Sequence, residues 1–100
     1  MPSRFTARPP AIATILVDDE RTRVTRWDFE PGAETGQHTH ALAYVVVPMT
    51  DCDFLLEEAT GERRVFVAAG AAYSRPLGVE HNVVNGGEAP MTFIEVEIKR

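Results

Sequence analysis

All three histidines of the chain fall in two short segments, which makes them the first candidates for chemistry. His38 and His40 form a His-x-His pair, and His81 lies in the second segment. On a β-strand the pair would share one face, with Cα atoms roughly 6.6–6.8 Å apart, so both imidazoles could converge on one metal ion. A histidine from a distant strand would complete the ligand set and leave positions for water or substrate. Taken alone, the spacing also fits histidines that simply face solvent.

Five further residues could contribute chemistry, and each also has a plainer interpretation. Glu34 precedes the histidine pair and could reach an ion, but a solvated carboxylate is favoured. Arg75 could bind a substrate carboxylate through two hydrogen bonds, although a surface position is favoured. Trp27 could line a ligand cavity, although packing on the barrel is favoured. Glu80 is expected to face outward, opposite to His81. Cys52 lies between two aspartates that would raise its thiol pKa, which makes it a poor nucleophile.

The elements that must position these residues are short β-strands. Apolar, β-rich runs alternate with turn signals at intervals of about ten residues, which is typical of an all-β sandwich or barrel. No stretch carries the apolar periodicity of a substantial helix. A hairpin tip is predicted around Gly61. The predicted strands are Ile12–Val17, Arg23–Phe29, Tyr44–Val47, Phe54–Glu57, Arg64–Val67 and Thr92–Ile98.

Alternation along the last strand predicts which of its faces is interior. The set expected inside is Thr92, Ile94, Val96 and Ile98. Met91 and Phe93 are then expected outside, beside two carboxylates. The proline-rich segment 1–10 is predicted to be an extended arm, and residues 11–100 a single domain.

Composition limits the partners. The chain has 100 residues, 44% of them hydrophobic, which suits one globular domain. Its 10 basic and 15 acidic residues give a net charge of −5, which argues against nucleic acid and anionic membranes as partners. Apolar runs are too short for a membrane span, and no signal peptide is recognised. The single cysteine suits a reducing compartment, so a cytoplasmic location is predicted.

The two histidine segments resemble the two signature motifs of the cupin superfamily. The first motif is matched in part, by Gly32, His38 and His40. The second is matched at every fixed position, by Gly70, Pro76, Gly78, His81 and Asn85. The resemblance covers roughly residues 11 to 99. It implies a double-stranded β-helix, a jelly-roll barrel, in which His38, His40 and His81 hold a divalent transition metal.

The first motif departs from the family pattern where a glutamate is expected. Tyr44 and Val45 stand there instead, and Asp51 is nearest to the position of the closing glycine. Tyr44 shares parity with the histidine pair and is expected to point inward. It could be a packed aromatic, or a phenol that donates a proton to a bound anion, which makes it the candidate catalytic residue. Direct ligation is disfavoured because a phenol has a pKa of about 10.

Three neutral imidazoles would leave the full +2 charge of the ion, which favours a small anionic ligand. The family includes three-histidine enzymes, among them thiol dioxygenases and a diketone-cleaving dioxygenase. The resemblance therefore implies a metal-dependent enzyme, either dioxygenase-like or a Lewis-acid isomerase or lyase. Ferrous iron would suit an oxygenase, whereas zinc, nickel or manganese would suit the alternatives. A binding module without turnover stays open.

A homodimer is also expected, because small cupins are commonly dimers and a jelly roll leaves strand edges to cover. The expected interface combines the arm, which carries Phe5, with the face of the last strand that carries Phe93.

Overall fold

The computed structural model describes residues 7–100, and this part of the chain is built from β-strands. Nine strands form two antiparallel sheets that pack face to face. The five-stranded sheet has the order β1-β2-β9-β4-β7, and the four-stranded sheet has the order β3-β8-β5-β6. The strands are β1 (Ile12–Asp18), β2 (Thr22–Phe29), β3 (His38–Thr39), β4 (Ala43–Pro48), β5 (Cys52–Glu58), β6 (Gly61–Val67), β7 (Tyr73–Arg75), β8 (Glu80–Asn85) and β9 (Met91–Ile98). Within residues 7–100 there is no apolar helix of membrane-spanning length.

The all-β prediction is confirmed, and the six predicted strands are all present with ends that extend by one to three residues. The hairpin tip at Gly61 is also confirmed, since Gly61 pairs with Glu58 and adopts φ +123°, a conformation that favours glycine. The pattern missed β7, β3 and β8. These strands are short or polar, and they belong to the two histidine segments.

The core lies between the two sheets and is centred on aromatic side chains. Phe93 stacks on Phe29 with ring centroids 5.5 Å apart, and Phe54 meets Phe93 edge-on at 5.6 Å. All three are buried. Such contacts add to the free energy gained by burying the rings. The core therefore joins β2 and β9 of one sheet to β5 of the other.

The assignment of faces on β9 was wrong. Met91 and Phe93 are buried at 2% and 4% exposure, whereas Ile94 and Val96 are half-buried on the opposite face and Ile98 is exposed. β9 is the middle strand of its sheet and carries apolar residues on both faces, so hydrophobicity alone does not identify the inner one. The expected dimer interface through the Phe93 face is therefore excluded, and Phe5 lies outside the described residues.

The described part of the predicted arm, residues 7–10, lies against the segment that precedes β3. The Glu34 amide donates to the Pro9 carbonyl at 3.0 Å, and the Ala11 amide donates to the Glu34 carbonyl at 2.8 Å. The end of the arm thus pairs through its backbone with the segment that leads to His38. The division of the chain into residues 1–10 and 11–100 stays a prediction.

Candidate metal centre

Backbone pairing brings the two histidine segments together. β3 pairs with β8 so that His38 lies directly opposite His81. His40 follows β3, and its amide donates to the Val79 carbonyl at 2.8 Å. Its carbonyl accepts from the Gly78 amide at 2.7 Å, where Gly78 turns with φ +93°. The fold therefore gathers residues 41 positions apart into one cluster.

One ring nitrogen from each of the three histidines lies within 4.8 Å of the other two. Nε2 of His40 lies 3.0 Å from that of His38 and 3.2 Å from that of His81. Two nitrogens that share one ion at 2.0–2.2 Å are expected roughly 2.8–3.6 Å apart. His40 and His81 are buried and His38 is half-buried, and all three line one cavity. The spacing fits a three-histidine metal site.

The protonation of the cluster also fits a metal. Nδ1 of His38 lies 2.8 Å from the Gly36 carbonyl oxygen, so it donates there and leaves the Nε2 lone pair facing the centre. Burial, followed by the neighbouring His38, lowers the pKa of His40 and of His81 to about 4. Both imidazoles are therefore neutral at neutral pH, which is the form that binds a transition metal.

A polar network behind the cluster holds the His38 segment in place. Asn82 is buried, and its Oδ1 accepts from the Gly36 amide at 2.9 Å. Its Nδ2 donates to Glu34 at 2.7 Å and to Glu57 at 3.0 Å. Arg8 forms two hydrogen bonds to Glu57, each 2.9 Å, and one to Glu34 at 3.2 Å. Glu34 is therefore bound to Arg8 and Asn82 rather than directed at the histidines, and its side chain stays 29% exposed. Sequence reasoning missed the other members of this network.

A cavity of about 260 Å³ opens over the histidines, and Tyr44 forms part of its wall. The Tyr44 ring stacks on His40 with centroids 3.8 Å apart, so its predicted inward orientation is confirmed. Within residues 7–100 its buried hydroxyl has no hydrogen-bond partner. Burial raises the pKa of Tyr44 to about 12, which keeps the phenol protonated.

The cavity also holds a carboxylate that the sequence analysis placed outside. Glu95 on β9 has only 12% of its side chain exposed, and its Oε2 lies 3.8 Å from His40 Nε2. Burial, helped by the charge of Glu97, raises the pKa of Glu95 to about 7. Glu95 shares the face of Met91 and Phe93, so a correct assignment of the inner face of β9 would have placed it inside.

Comparison with known proteins agrees with this architecture. No protein-family model matches the chain. The "Beta-alanine degradation protein BauB" of Pseudomonas aeruginosa is 50% identical over 95 residues, which cover 95% of this chain and all of that protein. A crystal structure of a cupin domain from Bordetella pertussis superposes with a TM-score of 0.91 at 49% identity, covering 94% of this chain and 98% of that one. The chain belongs to the cupin superfamily.

An RmlC-like cupin with a double-stranded β-helix from Methanocaldococcus jannaschii shares the fold at 15% identity. Its TM-score is 0.75, and the match covers 88% of this chain and 79% of that chain. The jelly-roll prediction is thus confirmed. In the chain described here, Tyr44 takes the inward position where the motif expects a glutamate. Glu95 supplies a carboxylate to the cavity from a different strand.

The remaining candidate residues of this chain lie in the cavity, at the surface or in the core. Arg75 lines the cavity, which corrects the surface position favoured for it. Trp27 packs against the core, as expected, and also lines the cavity. Glu80 is exposed, as expected, and accepts a hydrogen bond from Thr39 at 3.4 Å. Cys52 is fully buried. Burial is the main cause that raises its thiol pKa, and the flanking aspartates add to it, so the residue is a poor nucleophile.

Proposed function

We propose that this cupin is a small metal-dependent enzyme that acts on a small anionic organic substrate, with His38, His40 and His81 as the metal ligands. The observation that carries the proposal is the convergence of three imidazoles in the wall of one cavity, with Nε2 of His40 3.0 Å from that of His38 and 3.2 Å from that of His81. The name of the Pseudomonas relative supports a small carboxylate as substrate, since β-alanine is itself a three-carbon carboxylate.

A divalent transition ion held by the histidines supplies Lewis acidity and, if it is ferrous iron, redox chemistry with dioxygen. The side chains of the cavity bind and orient the substrate. Arg75 pairs with a substrate carboxylate, and the Tyr44 hydroxyl, which lacks another partner among the described residues, donates a hydrogen bond to the bound anion. Phe54 and Phe93 wall the cavity with apolar surface and limit the entry of water.

The reaction is either oxygenation, with ferrous iron, or an isomerase or lyase reaction, with zinc, nickel or manganese. The metal in protein purified from its native cells separates these, because overexpressed protein can take up the wrong ion. Oxygen uptake by the iron-loaded protein with short carboxylates supports the oxygenase. Turnover without oxygen supports the other class.

The alternative is a binding module without turnover. The sequence alone offers no obvious general base for the cavity beyond Tyr44, and this favours a binding module. Glu95 removes that argument, because it places a carboxylate 3.8 Å from His40. Ligand binding with no product in either metal form would support the module.

The ligand assignment is tested by metal analysis of the three histidine-to-alanine variants. Each should lose most of its metal, because two imidazoles hold an ion much more weakly than three. Glu80→Ala is the matched control, since this exposed side chain adjoins His81 but points away from the cavity. Glu34→Ala is not a clean control, because it removes a partner of Asn82. Full metal retention by His81→Ala would disprove the shared site.

We propose a cytoplasmic location on the basis of the free Cys52 thiol, and a homodimer whose interface is the outer face of the five-stranded sheet. Strand registry aligns one valine from each of four strands on that face: Val17, Val24, Val96 and Val45. A flat aliphatic row of this kind can pack against its own copy across a two-fold axis, as in sheet-on-sheet packing.

Light scattering tests the dimer, which has twice the 11.1 kDa of one chain. Val96→Glu should give a monomer, because it places a charge in the middle of the aliphatic row. Phe66→Glu, at an exposed apolar position on the other sheet, should leave the dimer intact. A monomeric wild type, or a dimer that survives Val96→Glu, would contradict this interface.

A further inference from the structure

A second cavity, here called the side cavity, lies between the free edges of the two sheets. β7 is the last strand of the five-stranded sheet and β6 the last strand of the four-stranded sheet, and within residues 7–100 no backbone pairing joins them. The space between them has a volume of about 370 Å³. Its apolar lining consists of Phe54, Leu56, Val65, Val67 and Tyr73. The sandwich therefore has an apolar opening at its side.

The side cavity adjoins the cavity over the histidines, because the two share part of their lining. The residues common to both are Phe54, Leu56, Tyr73 and Arg75. Leu56 pairs with Val83 of β8 on one side and with Arg63 of β6 on the other. Paired residues share a face of the sheet, so one row of side chains runs from the strand of His81 to the free edge. A molecule bound at the histidines therefore has an apolar path past Leu56.

Arg75 lies at the junction of the two cavities. It pairs with Tyr44 across β4 and β7, and the Tyr44 ring stacks on His40. The sheet ends beyond β7. Among the described residues Arg75 forms no ion pair, whereas Arg63, on the opposite edge, is paired with Glu58 at 3.0 Å. The Arg75 guanidinium is therefore available to an anion at the junction, with apolar walls on the side of the free edge.

We infer that the protein binds a monocarboxylate with an apolar chain, with the carboxylate between Arg75 and the histidines and the chain in the side cavity. The inference rests on the proposed function, which places an anionic ligand at the histidines. The apolar walls favour a hydrocarbon chain because its burial removes apolar surface from water. A second copy of the protein is not the expected occupant, because the dimer face proposed above lies on the outside of the five-stranded sheet and leaves this edge free.

The size of the side cavity sets the length of chain that it accepts. A volume of about 370 Å³ corresponds to roughly twelve water molecules at about 30 Å³ each. A chain of about six carbons, each near the size of one water molecule, fits this space. Affinity should therefore keep rising with chain length at least as far as hexanoate.

The test is a series of straight-chain acids from propanoate to hexanoate. Isothermal titration calorimetry measures their affinities for the metal-loaded protein at one metal content and one pH. Burial of each added methylene group should tighten binding roughly threefold to fourfold, or about thirtyfold to sixtyfold across the series. Equal affinities across the series, or no binding of any acid, would overturn the inference.

Two neighbouring residues of β6 provide a matched pair of variants. Val65 lines the side cavity, whereas Phe66 points to the other face of the strand and is 61% exposed. Val65→Trp should fill the cavity and bring the affinity for hexanoate to within about threefold of that for propanoate. Phe66→Trp should keep the wild-type dependence on chain length. Thermal unfolding checks that both variants are folded, and a dependence that persists in Val65→Trp contradicts the assignment of the chain to this cavity.

Arg75→Gln tests the position of the carboxylate. It should weaken the binding of every acid by a similar factor, because all of them lose the same guanidinium partner, and it should leave the gain per methylene group unchanged. Affinities equal to those of wild type would overturn the role of Arg75.

Metal analysis of the same samples separates this inference from the proposed function. Metal that depends on the three histidines, in a protein that binds all the acids equally, overturns the side cavity alone. A dependence on chain length in a protein whose metal does not depend on the histidines disproves the proposed metal site and supports the side cavity.

Discussion

The ion-pair network formed by Arg8, Glu34, Glu57 and Asn82, here called the Arg8 clamp, gives a quantitative prediction for stability. Replacing Glu57 by Gln removes the carboxylate that accepts both hydrogen bonds from the Arg8 guanidinium and one from Asn82. The clamp joins residues up to 49 positions apart, so its loss should loosen the contact between the arm and β5. We expect a loss of stability at neutral pH.

The magnitude follows from the pKa of Glu57. Hydrogen bonding to Arg8 lowers this pKa from 4.5 to about 2. At full strength such a shift corresponds to about 3 kcal/mol of folding free energy at neutral pH. The side chains of Arg8 and Glu57 are 35% and 29% exposed, so solvent screens the pair and we expect about half of that value, near 1.5 kcal/mol. For a domain of this size the melting temperature should fall by roughly 6–12 °C.

The sign of the pH dependence gives a second, independent signature. Because the folded-state pKa of Glu57 lies below its unfolded value, its contribution is complete above pH 4.5 and is lost as the pH falls toward 2. Wild type should therefore lose its advantage over Glu57→Gln across that window. Urea unfolding at several pH values, followed by circular dichroism, measures both the difference and its pH dependence.

The Glu58–Arg63 pair is the matched control, because it lies on the same hairpin with its nitrogen and oxygen 3.0 Å apart and Arg63 49% exposed. Arg63→Met should change stability by no more than about 0.5 kcal/mol. Arg8→Met should reproduce most of the effect of Glu57→Gln, and the double variant should cost less than the sum. A Glu57→Gln variant as stable as Arg63→Met, or a difference from wild type that does not change between pH 4.5 and 2, would refute the reasoning.

Three further predictions concern single side chains. Tyr44→Phe should unfold at the same temperature as wild type or slightly higher, because it deletes a buried hydroxyl without a partner in the described residues, yet anion affinity measured by titration should fall. Phe93→Ala should cost about 3–5 kcal/mol in urea unfolding, whereas Ile98→Ala should cost less than about 1 kcal/mol, and the reverse order would contradict the assignment of faces. Cys52 should react with Ellman's reagent only in denaturant, so rapid labelling of the native protein would contradict its burial.

The fold could be predicted because its signals are local. Glycine, proline and aspartate punctuate the chain at regular intervals, and six strands lie between these turns where the pattern placed them. The histidine cluster could be predicted for a different reason. Its residues sit at the fixed spacings of two motifs, and the pairing of His38 with His81 across β3 and β8 is the contact that those motifs imply.

The Arg8 clamp could not be predicted, because its members are far apart in sequence and each is an ordinary polar residue. Only the fold brings Arg8, Glu57 and Asn82 within hydrogen-bond distance. No spacing rule connects an arm residue to a strand 49 positions away. The same holds for Arg75, which reads as a surface residue until β7 turns it toward the cavity.

The error on β9 has a functional cause. Hydrophobic patterning assumes that the inner face of a strand is apolar and its outer face polar. Much of β9 departs from both assumptions. Its inner face carries Glu95 beside the histidines, where the neighbour is the cavity rather than the packed core. Its outer face carries Ile94 and Val96, which need a partner sheet if they are to be buried. The polar residues inside line the cavity in which we propose that the ligand binds, and the apolar residues outside form the face that we propose for the dimer. The two departures from the pattern thus indicate the two surfaces through which this cupin would meet other molecules.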